Sequence, residues 1–282
     1  MMFTCPGAEV FVPDAMVLPD ALTRTTHMGI GAHQDDLEIM SLHGILHCFG
    51  TAREWFCGVT CTNGGGSPRD DLYADYTDEQ MMVVRRKEQK KAAAIGEYAA
   101  QVLLDFSSAQ VKNAAEPGPV VDLTKVLSVA RPRVLYTHNL TDKHDTHVAV
   151  ALRVIAALRS LPADACPEAV YGCEVWRDLD WLVGMDRVSL DVAAHENVSA
   201  ALLGVFDSQI CGGKRYDLAA EGRRRANATF AESHGVDETT AAVIAMDLTP
   251  LVADPSLEPA AFAQSLIERL SGDVMRRIAK VS

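Results

Sequence analysis

Two short stretches concentrate the residue types that hydrolytic chemistry needs. "AHQDDLE" places His33, Asp35 and Asp36 just after the apolar run "HMGIGA" (27–32). "HNLTDKHDTH" places His138, Asp142, His144, Asp145 and His147 at and after the end of the apolar run "RVLYTH" (133–138). Zinc is usually held by imidazole nitrogen and carboxylate oxygen, and a catalytic zinc takes three protein ligands and keeps one position for water. His33 and Asp36, three apart across a strand-to-helix turn, can face one ion. His147, at the start of its own helix, supplies a third ligand from the neighbouring loop. Asp35 is then left beside the ion, where a general base for the water belongs.

His144, three residues before His147, can point to the other side of that water, to donate to an oxyanion and protonate a leaving amine. Asp142 and Asp145 are placed to orient the imidazoles from behind. Helix capping accounts for the same residues one at a time: Asp35 or Asp36 for a helix starting at Leu37, Asp145 or Thr146 for the next. Two clusters at two strand ends exceed what capping requires, because a cap does not need histidine. A further pair, His43 and His47, is spaced i and i+4 but lacks the glutamate of a His-Glu-x-x-His site, and reads as core or exposed histidines. "GIGA" lacks the third glycine of a dinucleotide fingerprint.

The elements that must position these residues alternate. "HMGIGA" precedes a helix with Leu42, Ile45, Leu46 and Phe49 at helical spacing; "WFCGVTCT" (55–62) is the next strand, followed by the loop "NGGGSPRDD". Thr77 and Gln80 form a capping box for a helix whose Met81, Val84, Glu88, Ala92 and Ile95 share one side. "QVLLDF" (101–106), the helix "VVDLTKVLSVA" (120–130), "RVLYTH" and a helix on Val148, Ala151, Leu152, Ile155 and Leu158 follow. Strands alternating with helices of this length imply right-handed crossovers and a mainly parallel, three-layer Rossmann-like sheet, with ligands at the strands' carboxyl ends. Both clusters should therefore share one rim. Beyond about residue 165 the pattern loosens, with a strand and aromatic exit in "AVYGCEVWRDLDWL", helical stretches after it, and an amphipathic helix from Glu258. The expectation is one α/β domain over 1–282, with a motif-bearing core at about 25–165 and a C-terminal helical extension over 166–282.

With 282 residues and 48% hydrophobic composition, the chain can bury a large core. No run reaches the apolar length of a membrane helix, and the start carries no signal-peptide pattern, so a cytoplasmic protein without a membrane span is expected. Seven scattered cysteines without a Cys-x-x-Cys pair suit reduced thiols. A net charge of −12 argues against nucleic-acid binding and for a small-molecule substrate. The one basic lump, Lys214, Arg215 and Arg223 to Arg225, reads as a solvated helix face.

At this point the residues resemble a known family. "AHQDDLE" is similar to the Ala-His-Pro-Asp-Asp-x-Glu motif of the PIG-L/LmbE-like zinc-dependent N-acetylglucosaminyl deacetylases, "HDTH" falls where that family has His-Pro-Asp-His, and "VRRKEQKKAAAIG" resembles its third marker. The resemblance covers roughly the first 160 residues. It implies an LmbE-like fold, His33, Asp36 and His147 as zinc ligands, Asp35 as base and His144 as the group that serves oxyanion or amine. It further implies Arg85 as a binder of sugar hydroxyls with Glu88 one turn on, for which a surface Arg85–Glu88 ion pair is the plain alternative. His138, Asn139 and Trp176, at strand ends, are candidate substrate contacts, and the loop "TNGGGS" (62–67) a shaper of the pocket. Three positions depart from the family pattern: Gln34 for proline, Thr146 for aspartate, and Phe206 for the histidine of a late His-x-Ser-Gln.

The implied activity is removal of acetyl from an N-acetylated amino sugar or glycoconjugate by a Zn2+ enzyme, with another divalent metal able to serve. Two other readings stand beside it. One is a metal-dependent hydrolase of a non-sugar amide or ester; the other is a sugar- or nucleotide-binding α/β protein without turnover. The exposed helices of such sheets often mediate self-association, so a homo-oligomer is compatible with the sequence.

Overall fold

The computed structural model describes residues 1–282. Its strands are β1 (Glu9–Phe11), β2 (His27–Gly31), β3 (Phe56–Thr62), β4 (Ala100–Phe106), β5 (Val134–His138), β6 (Ala169–Cys173), β7 (Val188–Asp191) and β8 (Ala242–Asp247). All eight join one sheet in the order β1-β4-β3-β2-β5-β6-β8-β7. The five inner strands from β4 to β6 are parallel, while β1, β8 and β7 pair antiparallel at the edges. Every residue of β2 and β3 is buried, as a parallel sheet covered on both faces requires.

Two apolar layers do the covering. Helices Gly118–Ala130 and Asp145–Arg159 pack Leu123, Leu127, Val150 and Val154 onto one face. Helices Leu42–Cys48, Asp78–Ile95 and Glu196–Gly204 pack Ile45, Ala92 and Leu202 onto the other. The expected three-layer, mainly parallel architecture is what the chain forms. The capping box at Thr77 and Gln80 is present in both directions, and the helix it starts runs Asp78–Ile95.

Three features differ from the sequence reading. The helix expected after "HQDD" is two short ones, Asp36–Met40 and Leu42–Cys48, divided at Ser41. The "GIGA" glycines serve close packing of the first of these: a Cβ on Gly29 would stand 3.0 Å from Leu37 Cδ2, and one on Gly31 3.1 Å from Asp36 Cβ. Beside the strand read in "AVYGCEVWRDLDWL", which is β6, residues 166–282 supply β7 and β8 and so complete the sheet. The basic lump is not one solvated face. Arg224 is 5% exposed and donates to the carbonyls of Glu38 and Ile39, tying helix Tyr216–Thr229 beneath the turn that follows β2.

Candidate active site

The order of the strands reverses between β2 and β5, since β3 and β4 lie to one side of that pair and β6 to the other. A crevice opens at the carboxyl ends of strands at such a point. Both polar clusters empty into it. The cleft has a volume of about 540 Å³ and is walled by His33, Asp35, Asp36, Arg85, His144 and Trp176, among others.

The exit of β2 is pinned by Thr62, whose N–H and Oγ1 both donate to the Ala32 carbonyl, at 2.9 and 2.8 Å. The chain then turns so sharply that Asp36 Oδ2 accepts the His33 N–H at 2.6 Å and Asp35 takes φ 107°. A left-handed aspartate costs on the order of 1–3 kcal/mol, which the surrounding structure must offset. Asp35 stands at the N-cap position of helix Asp36–Met40 but makes no side-chain cap bond, so capping does not account for it. Its N–H is 3.4 Å from Gln89 Oε1, and its Oδ1 is 3.5 Å from Arg85 Nη2.

The exit of β5 is held by Asn139, which donates to the Cys173 carbonyl at 3.0 Å and accepts from both Thr141 N–H and Thr141 Oγ1 at 2.9 Å. Asn139 is thus a fully buried turn residue away from the cleft. Asp142 accepts the N–H groups of His144 and Trp176 at 3.0 and 3.1 Å, and its Oδ2 lies 3.5 Å from His147 Nδ1. Helix Asp145–Arg159 is capped by His144 itself, whose Nδ1 accepts the Thr146 N–H at 3.2 Å. That bond fixes the neutral tautomer: the His144 proton sits on Nε2. Asp145 is exposed in the first helical turn, where a carboxylate suits the helix dipole, and it does not reach the imidazoles.

Three side chains converge. His33 Nδ1 is 3.2 Å from His147 Nε2 and 3.3 Å from Asp36 Oδ2, and His147 Nε2 is 3.4 Å from Asp36 Oδ1. For bonds of about 2.0–2.1 Å, the edge of a tetrahedron around zinc measures about 3.3–3.4 Å, so the residues present fit such an ion. Two other histidines lie close enough to compete, His144 beside His33 and His147, and His138 beside Asp36 and His147. His138 Nε2 already accepts the Ala32 N–H at 2.9 Å, which occupies its lone pair, and His144 Nδ1 is committed to Thr146. In the trio His33, Asp36 and His147, Asp36 meets His33 through Oδ2, which also accepts the His33 N–H, and meets His147 through Oδ1.

Electrostatics separates the two adjacent aspartates. Burial works against ionising Asp36, yet the imidazoles of His147 and His138 hold its carboxyl well below the usual range. Burial pushes Asp35 up to about 8, with Arg85 pulling the other way. Burial lowers His33, and lowers His138 and His144 to about 4. For His147 burial also favours the neutral ring, but the carboxylates of Asp36 and Asp142 outweigh it and raise its pKa.

The remaining expected residues divide. Arg85 lines the cleft, donating from Nη1 to Ser67 Oγ at 2.8 Å and from Nη2 to the Gln34 carbonyl. No Arg85–Glu88 ion pair forms, because Glu88 is buried and accepts the N–H and Oγ of Ser208, each at 2.7 Å. Trp176 is a cleft wall, with Lys214 Nζ 5.2 Å above its ring and Tyr216 edge-on to it. His138 lies fully buried behind Asp36 and stacks on His147 at 3.8 Å rather than facing the cleft. Gly64, Gly66 and Ser67 of "TNGGGS" line the cleft as expected. Gln34, the proline replacement, donates to the Thr62 carbonyl at 2.9 Å and so helps hold the turn. Thr146 lines the cleft, whereas Phe206 is 2% exposed in the apolar core. Sequence reasoning missed Gln209 and Tyr216 as cleft walls and Gln89 as the support of Asp35; Gln209 and Gln89 lie within the late "FDSQ" and "VRRKEQKKAAAIG" stretches but are not singled out there, and Tyr216 belongs to no motif.

Comparison with known proteins bears on the fold and on the family of the motif-bearing segment. No curated protein matches the sequence. Among solved structures, the 4-carboxy-2-hydroxymuconate hydratase GalB of Pseudomonas putida superposes with a TM-score of 0.61 at 15% identity, covering 79% of this chain and 96% of its own. The conserved protein TT1542 of Thermus thermophilus gives 0.60 at 18% identity, covering 83% and 99%. The N,N'-diacetylchitobiose deacetylase of Pyrococcus horikoshii gives 0.57 at 16% identity, covering 78% and 83%. At such identities these likenesses speak to the fold. The family model described as "PIG-L: GlcNAc-PI de-N-acetylase" matches residues 28–158, which span both strand exits and the helix between them. The chain carries a PIG-L family domain over residues 28–158.

Proposed function

We propose that this chain is a zinc-dependent N-deacetylase that removes acetyl from an N-acetylated amino sugar or its conjugate. The observation that carries the reading is the triangle of His33, Asp36 and His147 side chains, with the carboxylate of Asp35, which makes no cap bond and faces Arg85, beside it in an open cleft. The description of the matching family and the deacetylase activity of the Pyrococcus structural relative support it. In this reading His33, Asp36 and His147 would hold the ion, and Asp142, 3.5 Å from His147 Nδ1, would support that ring from behind. A bound divalent cation acidifies a water and polarises the amide carbonyl.

The residues of the chain do the rest. Asp35, raised by burial and lowered again by any cation nearby, is poised to take a proton from the attacking water and return it to the leaving nitrogen near neutral pH. The collapsing amide thereby yields acetate and a free amine. His144 presents Nε2–H from the opposite wall, a neutral donor suited to the oxyanion of the tetrahedral intermediate. With its pKa near 4 it is a hydrogen-bond donor rather than the acid for the amine. Arg85, and Trp176 with its flat face, are placed to receive sugar hydroxyls and a sugar ring. His138 and Glu88 act from behind the wall, His138 by buttressing the Ala32 exit and Glu88 by anchoring Ser208.

No helix is long and apolar enough to cross a membrane. The seven free thiols fit a reducing, cytoplasmic setting. The test is metal content by elemental analysis alongside acetate release from sugar and non-sugar acetamides. His147→Ala should lose one equivalent of metal and all acetate release. A His147→Ala protein with the wild-type metal content would overturn the ligand assignment, and acetate release from non-sugar amides alone would overturn the substrate class.

A further inference from the structure

We propose that His27, His47 and Glu54 form a second site for a divalent transition-metal ion, at the amino-terminal ends of the parallel strands, opposite the cleft. One ring nitrogen of each histidine and one Glu54 oxygen lie within 4.8 Å of one another. His27 is the first residue of β2 and is 3% exposed; its Nδ1 lies 3.0 Å from Thr26 Oγ1, 3.4 Å from Cys48 Sγ and 3.7 Å from Glu54 Oε2, while its Nε2 makes no hydrogen bond and is the nitrogen left to ligate. The His47 ring centroid is 4.7 Å from that of His27. His47 lies in the last turn of helix Leu42–Cys48, where backbone carbonyls favour a cation. The buried ligand is thus fixed, and the two more exposed ones can close the remaining gap by side-chain rotation.

The pair suggested by spacing alone, His43 and His47, is not the one the fold assembles. His43 Nδ1 is engaged by Tyr136 Oη at 2.7 Å, so His27 and Glu54, from other elements, replace it. Glu54 also receives Arg133 Nη2 on both oxygens, at 3.1 and 3.0 Å. A carboxylate has about four lone-pair directions, so it can keep Arg133 and ligate an ion together. Two imidazoles and one carboxylate select zinc, copper or nickel over magnesium or calcium.

Six residues of extended chain separate His27 from His33, about 20 Å, so an ion here takes no part in chemistry at the cleft. It would instead tie the end of helix Leu42–Cys48 to the start of β2 and to the segment leading into β3. The expected role is stabilisation by a ligand that binds only the folded chain. This site does not depend on the deacetylase reading.

The test is equilibrium dialysis of the full chain against micromolar free Zn2+, with elemental analysis and thermal denaturation of wild type, His47→Ala, Glu54→Gln and His147→Ala. We expect wild type to bind about two equivalents, His147→Ala to lose one, and His47→Ala and Glu54→Gln to lose the other. The Zn2+-induced rise in Tm that survives in His147→Ala should vanish when His47→Ala is added. His47 is exposed, so its variant should melt like wild type without metal, which separates lost binding from lost folding. The proposal is overturned if wild type binds one equivalent that His147→Ala removes, or if a second equivalent survives both His47→Ala and Glu54→Gln.

Discussion

The groups that crowd the candidate metal position and the walls that face them come from different parts of the chain. His33, Asp35, Asp36, His144 and His147 lie in two strand-exit segments, each fixed by bonds within a few residues of itself or to the adjoining strand. Trp176, Gln209, Lys214 and Tyr216 arrive from beyond residue 166, on loops and helices held by distant partners such as Glu88 and Asp142. The first region is a local device that a short motif can encode. The second depends on the whole fold closing, so it is where one such domain differs from another in what it admits. Substitutions in the first region should act on turnover, and those in the second on substrate affinity.

The largest effect should fall on the strand exit of β2. Asp35→Asn should keep its metal and lower kcat by about 10³-fold, because the proton acceptor is gone while the ligands remain. Steady-state kinetics with metal analysis on one preparation checks this, and full activity would remove Asp35 from the chemistry.

The same residue gives the comparison a pH signature in the metal-free protein. The unfolded chain loses the Asp35 proton near 3.8, the folded chain near 8, so between those values the folded state binds more protons and stability falls as pH rises. One proton sets a limit of about 1.4 kcal/mol per pH unit. Asp36 has the opposite sign: its folded pKa is depressed, so its contribution is present above 3.8 and is lost as pH falls below. His138 and His144, lowered to about 4, contribute with the opposite sign between about 4 and 6.5, so urea denaturation reads the Asp35 part as a difference: the stability of wild type minus that of Asp35→Asn should decline from pH 4 to 8.

A wall substitution should behave differently. Trp176→Ala is expected to raise KM about tenfold with kcat little changed, the mark of binding shared by ground and transition states. An equal fall in kcat would mean that the wall also sets the geometry of His144, whose ring lies 6.5 Å from that of Trp176. Smallest of all, Thr77→Ala should cost about 1 kcal/mol of stability through the lost capping box, with activity per folded molecule unchanged. Chemical denaturation and specific activity together decide it.

The same division explains what the sequence made legible. The parallel core, both strand exits and the capping box at Thr77 rest on period, turn chemistry and short-range spacing, and the structure contains them. The short edge strands β1 and β7, and β8 beside β7, do not announce themselves, because each is defined by its partner; β8 is a strand through its pairing with β6 and β7. Within the site, Asp145 looked equivalent to Asp142 as a support for imidazole. It is not, because the helix begins at Asp145 and turns that side chain to solvent while Asp142 stays inside the turn. His138 looked like a cleft residue by its strand-end position, but its ring goes to the Ala32 N–H across the β2–β5 pair. Which way a side chain leaves a strand end depends on the neighbouring strand, and a single segment does not carry that information.

The most direct measurement is acetate release by the zinc-loaded protein from N-acetylglucosamine and its glycosides, with the new primary amine counted in parallel. The account predicts one amine per acetate, abolished in His147→Ala and reduced about 10³-fold in Asp35→Asn. A protein that holds zinc at His33, Asp36 and His147 yet releases no acetate from any N-acetyl sugar would contradict it.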